Sequence, residues 1–253
     1  MDVLVYISGF SMEGCHTVNS KFVARLAHDL RAPIRHLTEF SRIFSDSLES
    51  PTEQQSRYLG FIENSAKRCN DMIGGLVRLA RVLESLPEPD YIDARDLATA
   101  IFDRCAAVYN IEATLDLEVD SDGLIRLDPG HASELMDVLF DNAFKFRSSD
   151  RPLHVTLQIG SKGGELLMRF SDNGIGFEES YIPDSTRVFS QFSNKSDGEG
   201  IGLALASAIV GVYAGRLEIG SPAGATSVGS SVLILLPLAE CDLGEPEQIV
   251  NQS

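Results

Sequence analysis

The chain has 253 residues, 43% of them hydrophobic, which is enough for one or two ordinary domains and too much for a disordered chain. Its 21 Lys and Arg against 37 Asp and Glu leave a formal charge of -16, so no strong pull toward nucleic acid or anionic lipid is expected. Cys15, Cys69, Cys105 and Cys241 form no Cys-x-x-Cys pair, no apolar run nears the ~20 residues of a membrane span, and Met1-Asp2-Val3-Leu4 lacks the positive flank of a secretory signal, so a cytoplasmic chain without structural zinc or disulfides is expected.

Residues 1–18 show no clear periodicity and stand apart as an N-terminal segment. From there Val23, Leu26, Leu30, Pro33, Leu37, Phe40 and Phe44 recur at alternating spacings of three and four, the a/d seam of a long helix. Pro33 lies inside that helix, removes one backbone hydrogen bond and is expected to bend it. Ser50-Pro51-Thr52-Glu53 reads as an N-cap, a proline at the first helical position and a capping-box glutamate. A second seam follows through Tyr58, Ile62, Ser65, Cys69, Met72, Leu76, Leu79, Leu83 and Leu86. The two helices predict an antiparallel hairpin over 19–86. A lone hairpin leaves half its seam wet, so a second copy completing a four-helix bundle, a homodimer, is the economical solution.

Leu86-Pro87-Glu88-Pro89-Asp90 marks a domain boundary, with a stiff linker over 87–93. A mixed α/β domain is expected over 94–238: a helix from an Asp93 cap to about 108, strands at 113–119 and 123–127, a helix from Asp128-Pro129 to about 146, a strand pair at 153–159 and 166–171, a helix at 201–212 and strands at 216–219 and 231–236. An acidic tail, 239–253, closes the chain. The fold class is therefore α+β, a helical hairpin followed by an α/β sandwich.

Three groups of residues carry chemistry. His28 falls at heptad position f when Val23 is a, an outward position where a histidine packs nothing; taken alone, it is ordinarily a solvated surface residue. Asp29 changes that, because its carboxylate can accept the proton of one ring nitrogen, orient the ring and raise the basicity of the other. The second group is glycine-rich. Asp172-Asn173-Gly174-Ile175-Gly176 follows a strand and Gly198-Glu199-Gly200-Ile201-Gly202-Leu203 opens a helix, where backbone N–H groups can approach phosphate. The second stretch follows a long polar loop rather than a strand, against a Rossmann unit. The third is the helix carrying Glu134, Val138, Asn142 and Lys145 on one face, an amide able to bind magnesium one turn from a lysine able to meet phosphate. On its own a mixed surface helix explains that segment as well. The histidines His16, His36, His131 and His154 read as structural or incidental, and Arg35 shares the face of His28, where it is either solvated or placed to meet phosphate or an acidic partner.

Taken in order, these stretches resemble the sensor histidine kinases of two-component signalling. His28-Asp29-Leu30-Arg31-Ala32-Pro33 resembles the H box, Asp141 to Phe146 the N box, Asp172 to Phe177 the G1 box, Val188-Phe189-Ser190-Gln191-Phe192 the F box and Gly198 to Leu203 the G2 box, with the H-box form closest to the phytochrome-like branch. The resemblance implies a dimerisation and phosphotransfer hairpin and a Bergerat-type ATP-binding domain. It implies His28 as phosphoacceptor, Asp29 as its acid-base partner, Asn142 as magnesium ligand and Lys145 as a phosphate contact. It further implies that Asp172 reads the adenine amine beside Gly174 and Gly176, that Gly200 and Gly202 approach the phosphates, and that 178–199 form an ATP lid with Phe189, Phe192 and Lys195. ATP and Mg2+ are then the cofactors, a response-regulator receiver domain the partner, and the signal comes from a separate sensor or from a longer natural chain. Two positions depart from the family pattern. Val138 stands where an asparagine is usual, with Glu134, Asp137 and Asp141 as candidate substitutes, and Ala32 stands where a Thr or Asn positions water, so little or no phosphatase activity is expected. The competing expectation is a non-catalytic phosphotransfer dimer with a degraded ATP site; a plain helical interaction protein and a serine kinase of the same sandwich fold fit less well.

Overall fold

The computed structural model describes residues 20–120, 123–176, 201–220 and 228–237. The expectations for the N-terminal segment, the lid and the acidic tail lie outside them. Helices α1 (Ser20–Asp46) and α2 (Glu53–Glu84) form the hairpin, with Val23 and Ala27 near the start of α1 packed on Val77 and Ala80 near the end of α2. Helix α1 runs through Pro33. The N-cap of α2 is Thr52 rather than Ser50. Its hydroxyl accepts from the Gln55 N–H while the Gln55 side chain accepts from the Thr52 N–H, a complete capping box two residues further on than expected.

The buried stripes of the hairpin also differ from the seams read in the sequence. On α1 the covered residues include Val23, Ala27 and Ser41, while Leu26, Leu30, Leu37, Phe40 and Phe44 are exposed. On α2 Leu59, Ala66, Val77, Leu79 and Ala80 are covered, while Tyr58, Ile62 and Leu83 are exposed, and Leu86 lies exposed beyond the helix end. The apolar stripe of each helix is wider than one a/d line. One neighbouring helix covers the edge one residue over, and the remaining large side chains stay outside.

The second unit is a two-layer sandwich. Strands β2 (Ala113–Val119), β4 (Leu153–Lys162), β5 (Glu165–Asp172), β6 (Arg216–Gly220) and β7 (Ser230–Pro237) form a sheet in the order β2-β4-β5-β7-β6, parallel only between β2 and β4. Its strands alternate. Leu153, Val155, Leu157 and Ile159 are buried while His154, Thr156 and Gln158 are only half covered, so one face carries the core. Helices α3 (Ala94–Tyr109), α4 (Pro129–Lys145) and α5 (Gly202–Val212) form the other layer. Phe140 and Phe144 of α4 are fully buried among Phe102, Tyr109 and Phe170, edge-on for the most part, each burial worth roughly 1.5–3 kcal/mol.

Part of the segment read as linker is a strand. β1 (Asp90–Asp93) pairs antiparallel with β3 (Leu124–Leu127), from Asp90 opposite Leu127 to Asp93 opposite Leu124. Four residues following Pro87-Glu88-Pro89 carry no period for a sequence reading to detect; the pairing is a tertiary event. Among the described residues Cys69 and Cys105 are free thiols, and no helix is long and apolar enough to cross a membrane.

Candidate nucleotide and phosphoacceptor site

Helix α4 is placed by its cap and its aromatic face. Asp128 accepts from the N–H groups of Gly130 and His131 at 2.9 and 3.1 Å, with Pro129 at the first helical position. The buried phenylalanines fix its rotation and bring Asn142 toward the first residue of α5. A Cβ added to Gly202 would sit 3.6 Å from both polar atoms of the Asn142 amide and 3.3 Å from Val138 Cγ1. The N-terminus of α5 has no side-chain cap, since Ile201 occupies that position. Backbone N–H groups without a side-chain cap among the described residues and the positive end of the helix dipole therefore stand next to an amide, an arrangement suited to phosphate.

The face read as Glu134, Val138, Asn142 and Lys145 divides in the fold. Val138 is buried under Gly202. Glu134 pairs with Arg78 of α2 at 3.1 Å, and Asp137 pairs with Arg104 of α3. Asp141 accepts from the Tyr109 hydroxyl at 2.7 Å and holds Lys145 Nζ at 2.6 Å. All three carboxylates considered as substitutes for an amide at 138 thus have partners, and the Lys145 ammonium is drawn toward the α3 side of the helix. Burial together with the bond to Asp141 pushes the Tyr109 hydroxyl well above its ordinary range.

Asp172 ends β5 and is 7% exposed. One carboxylate oxygen accepts from the Gly174 N–H at 2.8 Å and the other from the Ser230 hydroxyl. Burial pushes its carboxyl above the ordinary carboxylate range, and these hydrogen bonds oppose the shift. The loop after it leaves no room for a side chain at Gly174 or Gly176. A Cβ at Gly174 would overlap the Phe146 carbonyl oxygen, the same oxygen that accepts from the Ile175 N–H at 2.9 Å. Gly176 has φ +77 and a Cβ there would lie 2.8 Å from the Gly229 carbonyl oxygen. Asn173 seals the turn, accepting from the His154 N–H at 2.9 Å and donating to the Pro152 carbonyl at 3.0 Å. The end of α4, the Asp172 loop and the start of β7 therefore form one cradle.

Ser230 and Gly229 escaped the sequence reading. In sequence they are only the start of a strand. The β5–β7 register places Ser230 opposite Asp172, and that pairing alone shows the hydroxyl beside the carboxylate.

His28 projects from α1 with its side chain 86% exposed, and its Nδ1 lies 3.3 Å from Asp29 Oδ1. It follows directly on Ala27, which packs against the C-terminal half of α2, and the same stretch of α2 sends Leu79 and Val82 into the core of the sandwich. His28 and the sandwich thus sit at the same end of the hairpin. Phe189, Phe192, Lys195 and Gly200 lie outside the described residues. Among the described residues no cluster of three or more His, Cys, Asp or Glu side chains is arranged to hold a metal. Magnesium commonly takes few protein ligands and completes its shell with substrate phosphate and water, so Asn142 beside an open helix N-terminus fits that role.

Two family models match. The His Kinase A (phospho-acceptor) domain matches residues 18–84, and the histidine kinase-, DNA gyrase B- and HSP90-like ATPase matches 127–240. The chain is 25% identical over 224 residues to the signal transduction histidine-protein kinase AfsQ2 of Streptomyces coelicolor, covering 81% of this chain and 40% of that protein. It is 26% identical over 249 residues to the non-motile and phage-resistance protein of Caulobacter vibrioides, covering 91% and 28%. It thus spans less than half the length of these curated relatives. Among solved structures, full-length ShkA in complex with AMPPNP superposes with a TM-score of 0.60 at 21% identity, over 87% of this chain and 46% of that one, a likeness of fold. With a phosphoacceptor hairpin and an ATPase sandwich in that order, matched by models for both, the chain belongs to the sensor histidine kinases.

Proposed function

We propose that the protein binds ATP with magnesium, transfers the γ-phosphoryl group to His28 and passes it on to an aspartate of a response-regulator receiver domain, working as a homodimer. The observation that carries this is the meeting of Asn142, the uncapped start of α5 and the Asp172 cradle in a domain packed on α2 beside the exposed His28.

Adenine enters against Asp172, whose carboxylate accepts from the exocyclic amine and would face the keto group of guanine. The phosphates lie toward Gly202 and Asn142, with Lys145 able to leave Asp141 for them. Asn142 would hold magnesium, which would supply charge neutralisation for the phosphates. At His28 the Nδ1 proton faces Asp29, leaving the Nε2 lone pair as nucleophile. Nε2 bonds to the γ-phosphorus, the bond to the β–γ bridging oxygen breaks, ADP leaves, and the imidazolium charge is shared through Nδ1–H with Asp29. The protein contributes positioning and charge neutralisation, the main needs of phosphoryl transfer. The exposed apolar residues Leu26, Leu30, Leu37, Phe40 and Phe44 suit a second copy of the hairpin. Ala32 offers no hydroxyl or amide to orient water, in keeping with little phosphatase activity.

Val138, buried under Gly202, favours the second reading, a phosphotransfer dimer that does not use ATP. γ-labelled ATP with wild type, His28→Gln and Asn142→Ala separates the two. Acid-labile, base-stable label in wild type and its loss in both variants is expected. Label retained in His28→Gln would move the phosphorylation site elsewhere, and absence of label and of ATP binding in wild type would leave the relay.

A further inference from the structure

The Asp172 loop is gripped by the segment that joins α4 to β4. That segment ends in Asp150-Arg151-Pro152. Pro152 confines the residue before it to extended backbone, which narrows the directions open to the Arg151 side chain. Just ahead, the Ser148 hydroxyl accepts from the Asp150 N–H at 3.1 Å and the Ser149 hydroxyl donates to the Asp150 carboxylate at 3.0 Å, closing a turn. Arg151 then meets the loop with two donors. Its Nε–H donates to the Asn173 carbonyl at 2.7 Å and an Nη2–H to the Gly174 carbonyl at 3.3 Å. One flat guanidinium thus spans two consecutive peptide units, which a lysine ammonium cannot match.

Both peptide units are also held at their other ends. The unit between Asn173 and Gly174 carries the Gly174 N–H, which donates to Asp172 Oδ1 at 2.8 Å. The unit between Gly174 and Ile175 carries the Ile175 N–H, which donates to the Phe146 carbonyl at 2.9 Å. The first of these is a relay: guanidinium to carbonyl, along one planar peptide, then N–H to carboxylate. A cation at the carbonyl end polarises the peptide and strengthens the bond at its N–H end. Because the unit is planar, fixing its carbonyl also fixes the line along which the N–H meets Asp172. The loop has further anchors in the bonds of Asn173 to His154 and Pro152, and these do not involve the Arg151 side chain. Arg151 itself is exposed, so shortening it leaves no cavity.

From this relay we propose that Arg151 is a positioning residue for adenine recognition: through the peptide between Asn173 and Gly174 it holds the Asp172 carboxylate in the orientation that accepts the exocyclic amine. The proposal rests on the adenine role given to Asp172 above. Both bonds of the guanidinium go to loop backbone, so its effect falls on nucleotide binding and not on the transfer step at His28.

The test compares wild type, Arg151→Met and Arg151→Lys. Methionine keeps an aliphatic stem and loses both donors. Its KM for ATP, and its Kd for ADP by titration calorimetry, are expected to rise about three- to ten-fold with kcat unchanged, the range of about one hydrogen bond. Affinity for GDP, whose keto group faces Asp172 instead, should not change. Lysine restores one donor and should recover part of the loss. In glycine-labelled protein without nucleotide, the Gly174 amide proton should move upfield and exchange faster in Arg151→Met, while the thermal unfolding transition stays in place. Unchanged ADP affinity in Arg151→Met, equal losses for ADP and GDP, a fall in kcat, no recovery with lysine, or an unmoved Gly174 resonance would each overturn the proposal. If wild type takes no label yet binds ADP, the kinase reading fails, and calorimetry with the Gly174 resonance decides the role of Arg151 by the same outcomes. A wild type that binds neither nucleotide overturns both.

Discussion

Replacing Asp172 with Asn separates the role of this carboxyl in binding from its role in the fold. The side chain is 7% exposed, accepts from the Gly174 N–H and from Ser230, and burial holds its carboxyl above the ordinary range. A carboxyl raised in the folded state contributes stability that is complete below its unfolded pKa, ~3.9, and is lost as pH rises through the folded value. Above that folded value wild type therefore carries the cost of an ionised buried group. Asparagine keeps an oxygen for Gly174, and Ser230 can turn its proton away and accept from the new amide, so the cradle persists. The melting temperature of Asp172→Asn at pH 7 should equal or exceed that of wild type, and this advantage should shrink as pH falls toward the ordinary carboxylate range. Binding should move the other way. Loss of a hydrogen bond between a charged acceptor and the adenine amine removes about 1.5–3 kcal/mol, a factor of roughly 10–100 in Kd. The amide can also donate to a keto group, so preference for ATP over GTP should relax. Titration calorimetry with both nucleotides, beside thermal melts at pH 7 and pH 5, reads all of this. Unchanged ATP affinity would refute the adenine assignment; a fall in melting temperature large enough to account for the lost binding would refute the separation.

Other outcomes follow from neighbouring contacts. Gly229→Ala places a methyl on the Asp172 carbonyl oxygen at φ +126, so a loss of at least about 2 kcal/mol in denaturant unfolding is expected. Val138→Asn puts an amide into a 6% exposed position against Gly202; it should lower stability without nucleotide by about 1–3 kcal/mol, and ATP with magnesium should recover part of that in thermal melts. Ala32→Thr supplies the missing hydroxyl four residues after His28 and should raise dephosphorylation of a phosphorylated receiver domain; a rate unchanged from wild type would contradict the role given to that position.

Much of the fold was legible in the sequence. The 3–4 spacing in both long helices, the Asp93 and Asp128 caps, and the alternation in 113–119 and 153–159 each encode a local period that survives folding. Strand β1 was not legible, because four residues just after a proline pair acquire their conformation only from β3. The hairpin seams were legible as apolar stripes but not as to which edge meets the neighbouring helix, since helix propensity and spacing are properties of one segment whereas coverage belongs to a pair.

The site divides in the same way. Chemical identity was already carried by the linear chain: an outward imidazole beside a carboxylate, an amide before a lysine, glycines where backbone must be bare. Contact was decided by the tertiary structure. Ser230 reached Asp172 through strand register, Glu134 was taken by Arg78, Lys145 was turned to Asp141, and His131 became a buried joint between helices more than forty residues apart in sequence. The physical reason is range. Periodicity, capping and backbone freedom act within a few residues and are written locally, whereas a hydrogen bond or ion pair between distant segments exists only once packing has brought their side chains within about 3 Å.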